Sequence, residues 1–195
     1  EGANKGYTAL HFAAHKGHKD VVETLLKRDG INLNATNQVG ETALIEAVWN
    51  GHDKVVDVLL KVNEIDVNLD KQNGNTPLMF AAYKGYTTVV EMLLGVDGIN
   101  VNATNQYGNT ALMFAARMGY TDIVDKLLTV DGIEVNKIND IGLTPLMTAV
   151  QNRHPGVVIA LLKAPGIDVN QPNIKGVTVL YYAIAKGYDE IVKVL

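Results

Sequence analysis

A single interval governs this chain. Thr-Ala-Leu, Thr-Ala-Leu, Thr-Pro-Leu, Thr-Ala-Leu, Thr-Pro-Leu and Thr-Val-Leu begin at Thr8, Thr42, Thr76, Thr110, Thr144 and Thr178, each 34 residues after the one before. No insertion interrupts the series. A period of this length marks a tandem array of supersecondary units. By size alone, 195 residues would suggest one compact domain around one core. The period replaces that expectation with about six stacked units, each burying its faces against its neighbours.

Every unit carries the same punctuation. A glycine stands two residues before each threonine (Gly6, Gly40, Gly74, Gly108, Gly142, Gly176), usually after Asn and other polar residues. This is the composition of a tight turn that needs positive φ. The threonine opens a short helix, and Pro77 and Pro145 take the first helical position, where a missing N–H is no loss. In that helix Leu10, Ala13 and Ala14, and their equivalents, lie at i, i+3 and i+4. They form an apolar face whose small residues admit a neighbouring helix closely. A second glycine (Gly17, Gly51, Gly85, Gly119, Gly187) ends the helix as a left-handed cap. A second helix follows with paired apolar rows such as Val21, Val22, Leu25 and Leu26. Gly-Ile-x-Val-Asn, at Gly98 to Asn102 and closely at Gly30 to Asn34, closes the unit as an extended arm. One unit exposes as much apolar surface as it hides. The expected fold is therefore an all-α solenoid of helix–loop–helix units joined by β-hairpin-like turns.

These units resemble ankyrin repeats, whose pattern runs D-x-x-G-x-T-P-L-H-x-A-A-x-x-G-H, then V-V-x-L-L-L and G-A-D-V-N-A. The first unit reads G-Y-T-A-L-H-F-A-A-H-K-G-H-K-D-V-V-E-T-L-L. The resemblance covers the whole chain, as a single ankyrin repeat domain with repeats at about 3–36, 37–70, 71–104, 105–138, 139–172 and a shorter 173–195. It implies a concave surface lined by the short inner helices and hairpin tips, a convex back of outer helices, and a function in binding a partner protein. It also implies that the asparagines closing each unit (Asn34, Asn68, Asn102, Asn136, Asn170) are of the kind a protein asparaginyl hydroxylase modifies, beside their plain role in bonding the turn.

Departures from the family pattern carry expectations of their own. The usual period is one residue shorter; the extra residue falls between the Leu-Leu of the second helix and the closing glycine, and predicts a wider turn there. The family histidine survives only as His11, its column otherwise holding Ile45, Met79, Met113, Met147 and Tyr181. Packing must then replace its hydrogen bonds, which methionine does adaptably. In the second repeat Glu64 stands for the closing glycine, beside Asn63, which tolerates the left-handed region. In the fifth repeat Arg153 stands where the other loops have glycine, and a side chain there is strained at positive φ. That predicts a locally rearranged loop beside Asn152, Pro155 and Gly156. The first unit begins inside a turn and the last stops at Val194-Leu195, so both edges read as cuts through a longer array. The chain is expected to be a monomer, with end-to-end contacts at those edges.

Composition narrows the function. No apolar run approaches the roughly 18 to 20 residues of a bilayer crossing, and the start EGANKGYTAL lacks a signal peptide's basic-then-apolar order. Membrane insertion is not expected, and a cytoplasmic setting is. With no cysteine there is no disulfide, thiolate metal site or cysteine nucleophile. Lys and Arg number 17 against 21 Asp and Glu, for a net charge of −4, which argues against a nucleic-acid partner. The one basic row, Lys16, Lys84 and Lys186, reads as a solvated edge. His11 and His15 have the i, i+4 spacing of two metal ligands with His18 nearby, but they are repeat-column residues, and the unit offers no acidic third ligand. No nucleophile elbow, P-loop or zinc-protease motif occurs. Neither an enzyme nor a metal or cofactor is expected.

Function should then lie in the columns that vary. These are the pair before each turn glycine and the residue after it, the last residues of the inner helix, and the residue before the Ala pair, which helical geometry places beside the inner-helix end. Through the middle of the array they gather Trp49, Tyr83, Tyr107, Arg117, Met118, Ile141 and Leu143, with Glu46, Phe80 and Phe114 in the column before the Ala pair. Trp, Tyr and Arg dominate interface hot spots, and apolar side chains at a turn tip, Ile141 and Leu143, are hard to justify by folding alone. The competing role for Phe80 and Phe114 is packing against neighbouring units. The expectation is a protein-binding groove centred on repeats two to four. Two other readings fit the same residues: the regulatory or targeting array of a larger enzyme, and an engineered binder, for which Asn-Ala-Thr-Asn-Gln repeating at Asn34 and Asn102 speaks and the irregular columns around Arg28 and Asn63 speak against.

Overall fold

The computed structural model describes residues 6–195; residues 3–5, which open the first expected repeat, lie outside the described residues. Among the described residues there are twelve α-helices and no strand. The chain divides into two compact units, Glu1–Asn100 and Val101–Leu195. The first holds α1 (Ala9–His15), α2 (Lys19–Leu26), α3 (Ala43–Trp49), α4 (Asp53–Leu60), α5 (Pro77–Lys84) and α6 (Thr87–Leu94). There α1 packs on α3 and α3 on α5, while α2 packs on α4 and α4 on α6. The second holds α7 (Ala111–Met118), α8 (Thr121–Leu128), α9 (Pro145–Gln151), α10 (Pro155–Leu162), α11 (Val179–Ala185) and α12 (Asp189–Val194). The pairing repeats there: α7 on α9 on α11, and α8 on α10 on α12.

Each short helix starts because its threonine caps it. The Thr42 hydroxyl accepts from Ile45 N–H at 3.2 Å and Thr144 from Met147 N–H at 3.1 Å; such a cap contributes about 1 kcal/mol. The alanine pairs behind the caps are sealed, Ala47, Ala81, Ala82, Ala115, Ala116 and Ala149 all at 0% exposure. The helix then ends by a Schellman turn: in the second repeat Gly51 N–H reaches Val48 O at 3.1 Å and His52 N–H reaches Ala47 O at 2.9 Å.

Arg153 departs from expectation. Its loop is not rearranged: Arg153 N–H bonds Val150 O at 3.1 Å and His154 N–H bonds Ala149 O at 3.0 Å, the same turn as at Gly51. Arg153 holds φ 59, the one non-glycine at positive φ among the described residues. Its side chain is exposed. Its guanidinium lies over the Tyr188 ring at 4.9 Å, and the Asn152 amide donates to Thr148 O at 2.8 Å beside it.

Between repeats the chain forms a turn, not a strand pair. Asn37 N–H donates to Glu41 O at 2.9 Å while its side-chain oxygen accepts from Val39 and Glu41 N–H at 3.0 and 2.9 Å. Asn105, Asn139 and Asn173 do the same in the second unit. The closing asparagines link consecutive repeats. Asn68 donates to Gly98 O at 2.9 Å and accepts from Asn100 N–H at 2.8 Å. Asn34 spans to Glu64 and Asp66, and Asn136 to Gly166 and Asp168, in the same way. Each of these side chains uses both ends of its amide, so its presence at these positions follows from folding alone.

Candidate functional site

In the first unit the ends of α1, α3 and α5 form one row. Trp49, the last residue of α3, is 42% exposed, and Tyr83 near the end of α5 is 39% exposed. The Trp49 ring meets Phe80 edge-on, centroids 5.3 Å apart and planes at 81°, and the Lys84 ammonium sits 3.8 Å over it. Phe80 itself is buried. Its expected place in a partner-facing surface is therefore corrected: it is the floor on which Trp49 rests.

Glu46 is corrected likewise. It is 4% exposed, and its carboxylate is taken up by the Tyr7 hydroxyl on one oxygen and by His15 Nδ1 at 2.9 Å on the other. Asn50 completes the cluster, its amide 3.3 Å from His15 Nδ1 and donating to Glu46 O at 2.8 Å. A buried carboxylate needs such partners, so Glu46 joins the first repeat to the second and is not on the surface a partner would meet. Burial and then the hydrogen bond to Glu46 push the Tyr7 phenol up to about 12. Nearby, Glu41 pairs with Lys71 Nζ at 2.7 Å and accepts from Asn37 Nδ2 at 2.9 Å. Partial burial works against its ionisation, but those bonds prevail and hold its carboxyl below the usual range.

The histidines have ordinary work. His11 is 1% exposed, its Nδ1 at 2.8 Å from the Thr8 hydroxyl and its Nε2 at 2.8 Å from Glu41 O. Both nitrogens are thus engaged in joining its own cap to the next turn. His52 and His154 do what sequence reasoning missed. Each lays its ring under the preceding repeat's loop, with Nε2 3.0 Å from His15 O and from Arg117 O respectively. The signal was available in the column His18, His52, Tyr86, Tyr120, His154 and Tyr188, a ring in every repeat immediately after the loop position.

In the second unit a groove of about 360 Å³ opens along the ends of α7, α9 and α11 and the Asn139–Leu143 turn. Four of the expected residues line it: Phe114, Arg117, Ile141 and Leu143. Arg117 is exposed, Phe114 half-buried, and Ile141 is 60% exposed at the turn tip. Leu143 is another correction. It is buried, packed beside Met147, Val179 and Tyr182, and closes the seam to the sixth repeat. The residue after a turn glycine points inward here, so an apolar choice there is explained by folding after all. Tyr107 (58% exposed) and Met118 (37%) are open to solvent but are not part of the groove lining.

The turn, capped short helix, left-handed loop, second helix and asparagine link define a class of helical repeat protein. The family profile for ankyrin repeats, in three copies, matches residues 1–71, 62–139 and 132–195. The chain belongs to the ankyrin repeat family. Solved structures agree: the ankyrin repeat protein EF0377 superposes with a TM-score of 0.89 at 29% identity, over 96% of this chain and 97% of that one. An ankyrin repeat domain from Acinetobacter baumannii AYE gives 0.87 at 30% identity, over 95% and 94%. No curated protein sequence matches the chain. Ankyrin repeats generally mediate protein–protein interaction and are typically non-catalytic. No helix among the described residues is long and apolar enough to cross a membrane.

Proposed function

We propose that this chain binds a partner protein through the inner-helix ends and hairpin tips of its repeats, and carries out no chemistry on it. The observation that carries this reading is Trp49. At 42% exposure, its indole rests on Phe80 and under Lys84 while the alanine seams beneath are already closed, so the fold has no need of so large a side chain there. A rigid aromatic held ready at the surface suits a hot spot, since it loses little side-chain entropy on binding. Tyr83 in the first unit and Arg117, Met118, Tyr107 and Ile141 in the second are exposed side chains of the same kind.

The test starts from a partner recovered by affinity capture on the intact chain and identified. Trp49→Ala or Tyr83→Ala should weaken that partner by about 2 kcal/mol or more, roughly thirtyfold. Melting should fall by no more than about 4 °C, as loss of one partly exposed aromatic contact implies. Unchanged affinity in both variants removes the first unit's row from the binding surface.

A further inference from the structure

We propose that the groove of the second unit takes an extended peptide segment of the partner that carries one carboxylate and, two positions along, a bulky aliphatic or aromatic side chain. This rests on the reading above and narrows it to one groove and one ligand chemistry. The volume of about 360 Å³ lies within the range of built ligand sites and suits a few residues of extended chain.

Charge selects the acid. Arg117 is the one charged side chain on the lining, and among the described residues no carboxylate pairs with its guanidinium. A lone, planar, five-donor cation in an otherwise neutral groove fits a carboxylate held by two parallel hydrogen bonds. It repels a basic peptide, and one cation is too few to hold a nucleic-acid backbone. The Gln151 amide, also without a hydrogen-bond partner among the described residues, offers a peptide backbone both a donor and an acceptor.

Shape selects the bulky neighbour. Ile141 is exposed at the turn tip, although the turn is made by Asn139 and Ile141 contributes only its backbone N–H. Phe114 and Tyr182 flank the same groove. Alternate side chains of an extended chain face one side, so an acid at one position and a bulky apolar residue at the next but one reach this lining together.

The experiment is a synthetic array of immobilised ten-residue peptides, with Leu, Phe or Ile two positions from Asp or Glu in a Gly/Ser background. Matched peptides carry Asn, Gln or Lys in place of the acid. The full chain should retain acid-bearing peptides about tenfold over their amide counterparts. Arg117→Gln should erase that preference, Arg117→Glu should turn it towards the Lys peptides, and Ile141→Ser should weaken all bulky-residue peptides. Circular dichroism should show each variant folded with unchanged melting, since both side chains are exposed. Absence of binding, absence of acid preference, or a preference that survives Arg117→Gln overturns the proposal. The groove fails separately from the broader reading: a captured partner lost with Trp49→Ala but indifferent to Arg117→Glu and Ile141→Ser sinks the groove while leaving the binding module standing.

Discussion

The asparagine that closes each repeat offers a prediction with its own control. In Asn68→Ala two hydrogen bonds between consecutive repeats disappear, the one donated to Gly98 O at 2.9 Å and the one accepted from Asn100 N–H at 2.8 Å. Both bonds are solvent-exposed, so the freed backbone groups rehydrate and each loss falls in the lower half of the usual range, about 0.5 to 1 kcal/mol. The variant should lose about 1 to 2 kcal/mol, a melting shift of roughly 2 to 6 °C for a chain of this size. Asn63, in the same unit, is exposed and its side chain makes no hydrogen bond among the described residues. Asn63→Ala should therefore be neutral within about 0.5 kcal/mol, as for an ordinary surface change. The assay is urea unfolding followed by circular dichroism, with thermal melts alongside. Since repeat arrays can unfold in stages, the comparison is between whole curves of the two variants. Equal losses at Asn68 and Asn63 would refute the link between repeats.

Three further outcomes follow from the same geometry. Gly119→Ala should cost clearly more than Gly132→Ala: both sit near φ 80 and 78, but an added Cβ meets the His154 ring at 2.7 Å at the first site and nothing within 4 Å at the second. Backbone strain alone costs about 1 to 2 kcal/mol, so equal losses in urea unfolding would mean the His154 ring does not support the loop. Ultraviolet titration of the eight tyrosines should show one ionising near 12, that of Tyr7, and Glu46→Gln should bring it down. Because the folded value is raised, the associated stability is complete below the unfolded value of 10.0 and is lost as pH climbs towards 12; a titration indifferent to Glu46→Gln contradicts this. For Glu41 the sign is opposite. Its folded value is depressed, so its contribution is present above the ordinary 4.5 and disappears as pH falls through the lower folded value. Lys71→Met should flatten the melting-versus-pH curve in that window and cost about 0.5 to 1 kcal/mol at neutral pH, whereas an unaltered acid limb would show that Lys71 is not what holds Glu41 ionised.

Much of the scaffold was legible because it is written in local rules applied at a fixed spacing. Threonine caps, proline at the first helical position and loop glycines act within a few residues, so their meaning does not depend on distant partners. The errors come where a side chain's role depends on the neighbouring repeat. Glu46 looked like a variable surface residue because its partners, Tyr7 and His15, lie a repeat away. Leu143 looked idle at a turn tip because the residues it covers, Val179 and Tyr182, are about 40 positions later in the chain. Phe80 was legible only as an alternative, packing or binding, and the Trp49 ring over it decides for packing. Arg153 was misjudged for another reason. Left-handed backbone is a cost of about 1 kcal/mol or more, not a prohibition, and a turn held by neighbouring bonds and a stacked ring keeps its shape.

The central claim is that function lies in the exposed, folding-independent side chains of the inner helices and turn tips. The most direct measurement compares two variants of the intact chain by titration against the same captured partner. One replaces Trp49, Tyr83 and Ile141 by alanine; the other replaces Val21 and Ile159, equally exposed apolar residues at 48% and 41% on the second helices α2 and α10. The account predicts a loss of affinity of about 100-fold or more in the first, as for a few hot-spot residues together, and affinity within about twofold of the parent in the second. The reverse pattern, tight binding by the first and loss in the second, would place the binding surface on the second helices and contradict it.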